Sequence, residues 1–343
     1  MSPRRSATFI PRNETRVPHG GTGRRQALLA AVLIAASTTA ASAGRLFVSN
    51  ERDNTVTVLD GATLKPIKTV SVGARPRGMA LSHDGKELLV CAGDSDRIDV
   101  IDTTKLTVTR SLDTGADPET LSISPNGEFV YVANEDDSMV SVLEAASGHL
   151  VVRIPVGVEP EGIAFSPDGA MAVNVSESTS MAHFIDTKSL KVIANTLVDT
   201  RPRVAEFTAD GKHVWVSSEV GGTVAVIDAA THTIQKKIEF DVPGLRKEYI
   251  QPMGIRFSRD GRIAFVAIGR ANRVAVVDAD TWEVRQYILV GQRVWQLALS
   301  TDGTKLYAAN GLTNDVSIID VGSLKVDKSV PVGRLPWGIV YKP

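Results

Sequence analysis

The stretch Val156-Gly157-Val158-Glu159-Pro160-Glu161-Gly162-Ile163-Ala164-Phe165-Ser166-Pro167-Asp168-Gly169 decides the fold, because its parts return along the whole chain. Gly162 to Ser166 reads as a short apolar strand, and Asp168-Gly169 as the tight hairpin turn that follows it, since glycine adopts positive φ without steric cost. The same turn places a glycine at Gly85, Gly127, Gly169, Gly211, Gly261 and Gly303, in steps of 42, 42, 42, 50 and 42 residues. An acidic residue closing an apolar run recurs independently at Asp60, Asp102, Glu144, Asp186, Asp228, Asp278 and Asp320, with the same period and the same eight-residue insertion. Two unrelated markers in one register establish seven copies of one unit.

Each unit reads as four short strands. After the turn comes an apolar strand such as Val130-Tyr131-Val132-Ala133-Asn134. A period-2 strand follows, with inward pairs such as Val140/Val142 and Val316/Ile318, and the fourth strand ends in a Val-Gly turn, as at Val290-Gly291. Four-stranded sheets repeated every 40–45 residues are propeller blades. One blade buries too few apolar side chains to offset the ordering of its backbone, about 1–2 kcal/mol per residue, so blades must pack on one another and close a ring. The expected fold is all-β: a seven-bladed β-propeller of four-stranded antiparallel blades over residues 44–343. Arg45 to Asn50 reads as a second strand and Gly338 to Tyr341 as a first strand, so the two ends should pair within one blade.

Residues 1–43 read as an export signal peptide. Arg24-Arg25 precedes an apolar run from Ala27 to Ala36, and Ala41-Ser42-Ala43 has the pattern of a signal-peptidase site. That run is well short of the roughly 20 residues a membrane-spanning helix needs. A periplasmic location follows, with the Sec and Tat routes both open. Removing this segment takes six arginines and Glu14 from the 38 basic and 39 acidic residues, leaving 32 and 38, a net charge of −6. Such a balance offers no footprint for nucleic acid, and a monomer without a membrane span is expected.

The second strands Tyr131-Val132-Ala133-Asn134, Tyr307-Ala308-Ala309-Asn310 and Phe47-Val48-Ser49-Asn50 resemble the motif of the YVTN-repeat β-propeller family, and Trp215-Val216-Ser217-Ser218 is a weaker copy. With its leader and 42-residue units, the chain is most similar to the exported propellers associated with pyrroloquinoline quinone (PQQ)-dependent catabolism. This resemblance implies a place beside periplasmic quinoprotein dehydrogenases and cytochromes. It carries over no catalytic residue.

Recognition in a propeller is expected where loops converge on the channel. Eight residues before each turn glycine the ring reads Arg77, Glu119, Glu161, Arg203, Met253, Trp295 and Trp337; two residues earlier it reads Arg75, Asp117, Glu159, Arg201, Gln251, Arg293 and Leu335. Arg293, Trp295, Trp337, Arg75 and Arg77 form an arc of cations and indoles suited to a planar anion such as PQQ. Asp117, Glu119, Glu159 and Glu161 form an acidic arc that could hold calcium, which takes six to eight oxygens. A calcium-dependent lactonase is the alternative function that arc suggests. The third reading is a solvated rim in which these arginines and glutamates pair with one another and the tryptophans pack at the channel mouth. The insertion, Asp241 to Gln251, lengthens a turn at the same mouth, either as a functional loop or as tolerated drift.

Catalytic signatures are sparse. His83, His149, His183, His213 and His232 fall in different blades, and Cys91 lies in an apolar strand as a core residue.

Overall fold

The computed structural model describes residues 44–343, so the expected signal peptide lies outside the described residues. These form 28 strands in seven four-stranded antiparallel sheets, the seven blades of a propeller. Numbered from the N-terminus, the first blade comprises Arg45–Asn50, Thr55–Asp60 and Pro66–Ser71 with Pro336–Lys342. The second to seventh blades span 76–113, 118–155, 160–197, 202–239, 252–289 and 294–331. The last strand of the chain pairs with the first in the register Leu46↔Tyr341, Phe47↔Val340 and Val48↔Ile339. Side chains add to this closure: Asn50 Oδ1 accepts from the Gly333 N–H at 3.0 Å, and Ser49 Oγ accepts from the Gly338 N–H at 2.8 Å.

Both sequence markers prove to be turn chemistry. Ser82 Oγ donates to Asp84 Oδ1 at 2.8 Å, and that carboxylate accepts from the Lys86 N–H at 3.0 Å; Ser166 and Asp168 repeat the arrangement. At the other marker, Asp102 Oδ1 accepts from the N–H groups of Thr104 and Lys105 at 2.9 and 2.8 Å. Short polar side chains that satisfy nearby backbone donors end strands at set positions.

The core is divided as the unit demands. Seven clusters of buried apolar side chains lie between neighbouring blades, one at each contact. Successive residues of a strand point to opposite faces, so Val214 and Val216 pack on the fourth blade while Trp215 packs on the sixth. Cys91 is buried in the contact between the second and third blades. At the channel the innermost strands approach closely because glycine recurs there. A Cβ on Gly162 would lie 2.5 Å from the Arg203 carbonyl oxygen and 2.8 Å from Val204 Cα.

Candidate functional site

Six of the seven innermost strands are preceded by a residue with left-handed backbone, Gln251 being the exception. Arg75, Asp117, Glu159, Arg201, Arg293 and Leu335 have φ between 48° and 61°, the left-handed region that costs a non-glycine residue roughly 1–2 kcal/mol. Polar residues one blade back hold four of them in place. The N–H groups of Arg75, Asp117, Arg293 and Leu335 donate to Asn54, Asp96, Asn272 and Asn314 at 3.1, 2.9, 2.9 and 2.9 Å.

Two residues further on, the seven side chains anticipated at a solvated mouth lie deeper. Glu119, Glu161, Arg203, Met253 and Trp337 are all buried, the two glutamates at 0% and 1% exposure; Arg77 and Trp295 are partly covered. They form a belt around the channel. Arg77 Nη1 donates to Glu119 Oε2 at 2.5 Å, and Arg203 Nη1 to Glu161 Oε1 at 2.5 Å. Trp295 and Trp337 face each other at 6.2 Å, with the Arg203 guanidinium 5.8 Å from the first ring and that of Arg77 5.8 Å from the second. The Arg–Glu pairing of the third sequence reading is present, but in a buried belt and not on a solvated rim.

Above the belt lies a set of glutamates that the sequence reading did not name. Glu51, Glu135, Glu177 and Glu219 each follow a second strand directly. Glu177 pairs with Arg203 and, at 2.7 Å, with Arg201; Glu219 pairs with Arg293 at 2.7 Å and with Arg201 and Arg203 at 3.3 Å. Glu51 lies 3.3 Å from Arg77 Nε. Their spacing of 42 residues, or a multiple of it, is the signal that would have exposed them.

The acidic arc divides. Arg75 donates to Asp117, to Glu119 at 2.6 Å and to Asp94 at 2.7 Å. Glu159 instead accepts from Ser178, and Glu161 is held by Arg203. The carboxylates that gather are Asp117, Glu119 and Glu135, with one oxygen from each lying within 4.8 Å of the others. A guanidinium already spans two of these three, and calcium would have to displace it.

Burial and like charge shape the titration of this network. Burial raises Glu119, but Arg77, a hydrogen bond from Glu135 and Arg75 outweigh it and hold the carboxyl below its ordinary range. Glu135 is pushed up to about 8 by burial, then by its hydrogen bond to Glu119 and that group's charge. Burial lifts Glu161 to about 7 despite Arg203. Both values exceed that of an unfolded glutamate, about 4.3, so the folded state binds the extra protons. Their contribution to stability is complete below about pH 4.3 and is lost as pH rises through about 7 to 8. The melting temperature is expected to fall by several degrees between pH 5.5 and 9, and Glu135→Gln should remove much of that slope. A flat wild-type profile in a thermal-unfolding series would exclude the shared-proton arrangement.

Beside the belt opens a cavity of about 320 Å³, lined by Arg77, Arg201, Arg203, Arg270, Arg293 and Trp295, with Glu219, Val220 and Gln251. Such a volume falls at the lower end of ligand clefts, about 300–1,000 Å³. Arg293 lies 4.2 Å from the Trp295 ring and donates to Gln251. Burial lowers the Arg293 pKa, with Arg203 and Arg270 adding to the effect, and Glu219 restores it only in part. Arg270 is exposed and forms no ion pair among the described residues. The other four arginines are paired with glutamates, so Arg270 is the one lining guanidinium left for an incoming anion. The insertion contributes Gln251 and is anchored by buried Val242 and Ile250, which pack with Ala271. Of the residues expected at a ligand site, Arg77, Arg203, Arg293 and Trp295 line this cavity, whereas Arg75, Glu119 and Glu161 do not, and Trp337 lines a cavity at the opposite mouth.

His183, in a strand, accepts from the Gly157 N–H at 2.9 Å and meets Asn195 at 2.6 Å, and burial holds its pKa down.

Comparison with known proteins places this geometry in a setting. The family model described as YNCE-like beta-propeller matches residues 24–140, and the one described as choice-of-anchor I domain matches residues 135–310. No curated protein matches the chain significantly. Among solved structures, hydrazine synthase of Kuenenia stuttgartiensis is 24% identical, with a TM-score of 0.75 over 81% of this chain and 92% of that one. A candidate 6-phosphogluconolactonase of Bacteroides fragilis is 18% identical, with a TM-score of 0.74 over 89% and 99%. Dihydro-heme d1 dehydrogenase NirN, solved in complex with DHE, is 18% identical, with a TM-score of 0.66 over 87% and 75%. These likenesses are of fold.

Proposed function

For a chain that belongs to the choice-of-anchor I domain family and folds as a seven-bladed β-propeller, we propose a non-catalytic binding role in the periplasm. The ligand is a small planar anion held in the arginine-lined cavity, PQQ fits that description, and PQQ-dependent alcohol oxidation is the setting. The observation that carries this reading is the exposed Arg270 guanidinium, without an ion pair among the described residues, in a cavity that Arg293 and Trp295 also line. Arg270 and Arg293 would pair with carboxylates of the ligand, and Trp295 would stack on its plane. The association with a quinoprotein dehydrogenase or a cytochrome rests on the sequence resemblance alone.

Isothermal titration with PQQ tests the reading. Wild-type protein should bind it saturably, and Arg270→Ala should weaken binding roughly 10- to 100-fold, because a hydrogen bond to a charged group contributes about 1.5–3 kcal/mol. Absence of heat with PQQ, together with no capture of a periplasmic dehydrogenase or cytochrome, would sink the proposal. The calcium-dependent lactonase is the second reading, favoured by the approach of Asp117, Glu119 and Glu135 and by the fold shared with the Bacteroides fragilis protein. It requires calcium to displace Arg75. One equivalent of calcium in the purified protein, with turnover of a lactone, would turn the decision its way.

A further inference from the structure

At the other mouth of the channel, beyond the belt, lies a second cavity of about 530 Å³. It is walled by the later residues of the innermost strands, among them Ile123, Phe165 and Phe207. The repeat shows what is unusual there. The fifth residue of the innermost strand reads Ala80, Ser122, Ala164, Glu206, Arg256, Ala298 and Val340 around the ring. Five blades carry a small or apolar residue, and two adjacent blades carry opposite charges.

Arg256 Nη1 donates to Glu206 Oε2 at 3.0 Å and to the Ile255 carbonyl at 2.7 Å. Neither side chain makes another hydrogen bond to a side chain or backbone group among the described residues, and both line the cavity. One carboxylate oxygen and most of the guanidinium donors therefore face open space. Arg256 and Glu206 keep 35% and 29% of their side-chain surface accessible, so the pair stays open to the cavity. The other five blades build the same sheet without it, so closure of the ring does not require these charges. Burial in the wall raises the Glu206 pKa, and Arg256 offsets this only in part.

We propose that this cavity binds a small zwitterion with an apolar side chain, of the α-amino acid class. Its ammonium meets the free oxygen of Glu206, its carboxylate meets the free donors of Arg256, and its side chain lies against Ile123, Phe165 and Phe207. A paired acid and base side by side is the complement of a molecule that carries both charges on neighbouring atoms.

The test is titration calorimetry on the full propeller with L-phenylalanine and L-leucine, alongside the N-acetyl form, which lacks the ammonium, and the amide, which lacks the carboxylate. The free amino acid should bind saturably with Kd below about 1 mM, and each blocked form should bind at least about 10-fold more weakly, the loss of one charge-assisted contact. Glu206→Gln and Arg256→Met should each reduce binding of the amino acid by a similar factor. Binding of PQQ by the arginine cavity should not change in either variant, which separates failure of this inference from failure of the first. If a variant does not fold, the wild-type series with blocked ligands decides alone. No saturable heat up to about 10 mM, or equal affinity for the acetylated form, overturns the assignment.

Discussion

A chain ending at Leu335 is expected to give no cooperative unfolding transition and to accumulate in the insoluble fraction. The eight missing residues supply the innermost strand of the first blade, and with it Trp337 and Ile339, which are 3% and 4% exposed. Removing them bares the hydrogen-bonding edge of Arg45–Asn50 and opens the cluster in which Leu46, Val48 and Leu59 meet Tyr307 and Ala309. Each large buried side chain lost is worth about 1.5–3 kcal/mol, and a domain has only about 5–15 kcal/mol to lose. An exposed strand edge beside apolar surface then pairs with other chains. The companion experiment joins the ends. Arg45 and Lys342 are register partners, so a circular permutant linking residue 343 to residue 44 and opened at a surface turn between two blades should fold and melt cooperatively. A soluble, cooperatively melting truncation would show that the ring does not depend on this strand.

The second large effect is expected from Arg203→Met, with a loss of about 3–5 kcal/mol, the usual consequence of leaving buried charge unpaired. Arg203 is 4% exposed and faces Glu161, Glu177 and Glu219, which are 1%, 4% and 5% exposed. Its removal leaves buried Glu161 without an ion-pair partner and takes one guanidinium from Glu177 and Glu219, which keep Arg201 and Arg293, and proton uptake relieves part of the cost. At about 2–4 °C per kcal/mol, the melting temperature should drop by roughly 10 °C, and less at pH 5 than at pH 8. Adding Glu161→Gln and Glu177→Gln to Arg203→Met should recover much of the loss. If thermal unfolding of Arg203→Met matches wild type, the belt is not the buried ionic layer described above.

The number of blades, their order and the way the ring closes were all legible in the chain, because each is a local matter. A serine, an aspartate and a glycine close the Ser82–Gly85 turn by hydrogen bonds among themselves and the next residues, so whatever repeats in sequence repeats in structure. Ion pairs between corresponding positions of neighbouring blades were legible too: Arg77 with Glu119, Glu161 with Arg203 and Arg75 with Asp117 are each 42 residues apart. The period converts sequence distance into adjacency.

Depth and direction were not legible. Whether Glu119 and Glu161 line a wet mouth or a buried belt depends on how closely seven strands converge, and that is set by glycines such as Gly162 and by indoles arriving from the seventh blade and from the C-terminal strand of the first. The pairing of Arg293 with Glu219, 74 residues away, follows from two side chains reaching into one space, which no periodicity records. The same holds for the cavity against Trp295, whereas Glu206 and Arg256 stand at corresponding positions of neighbouring blades, one period plus the insertion apart. Backbone turns depend on neighbours within a few positions, so the chain alone determined the propeller. The charge balance of a cavity depends on every side chain that reaches it, and only the closed ring brings those together.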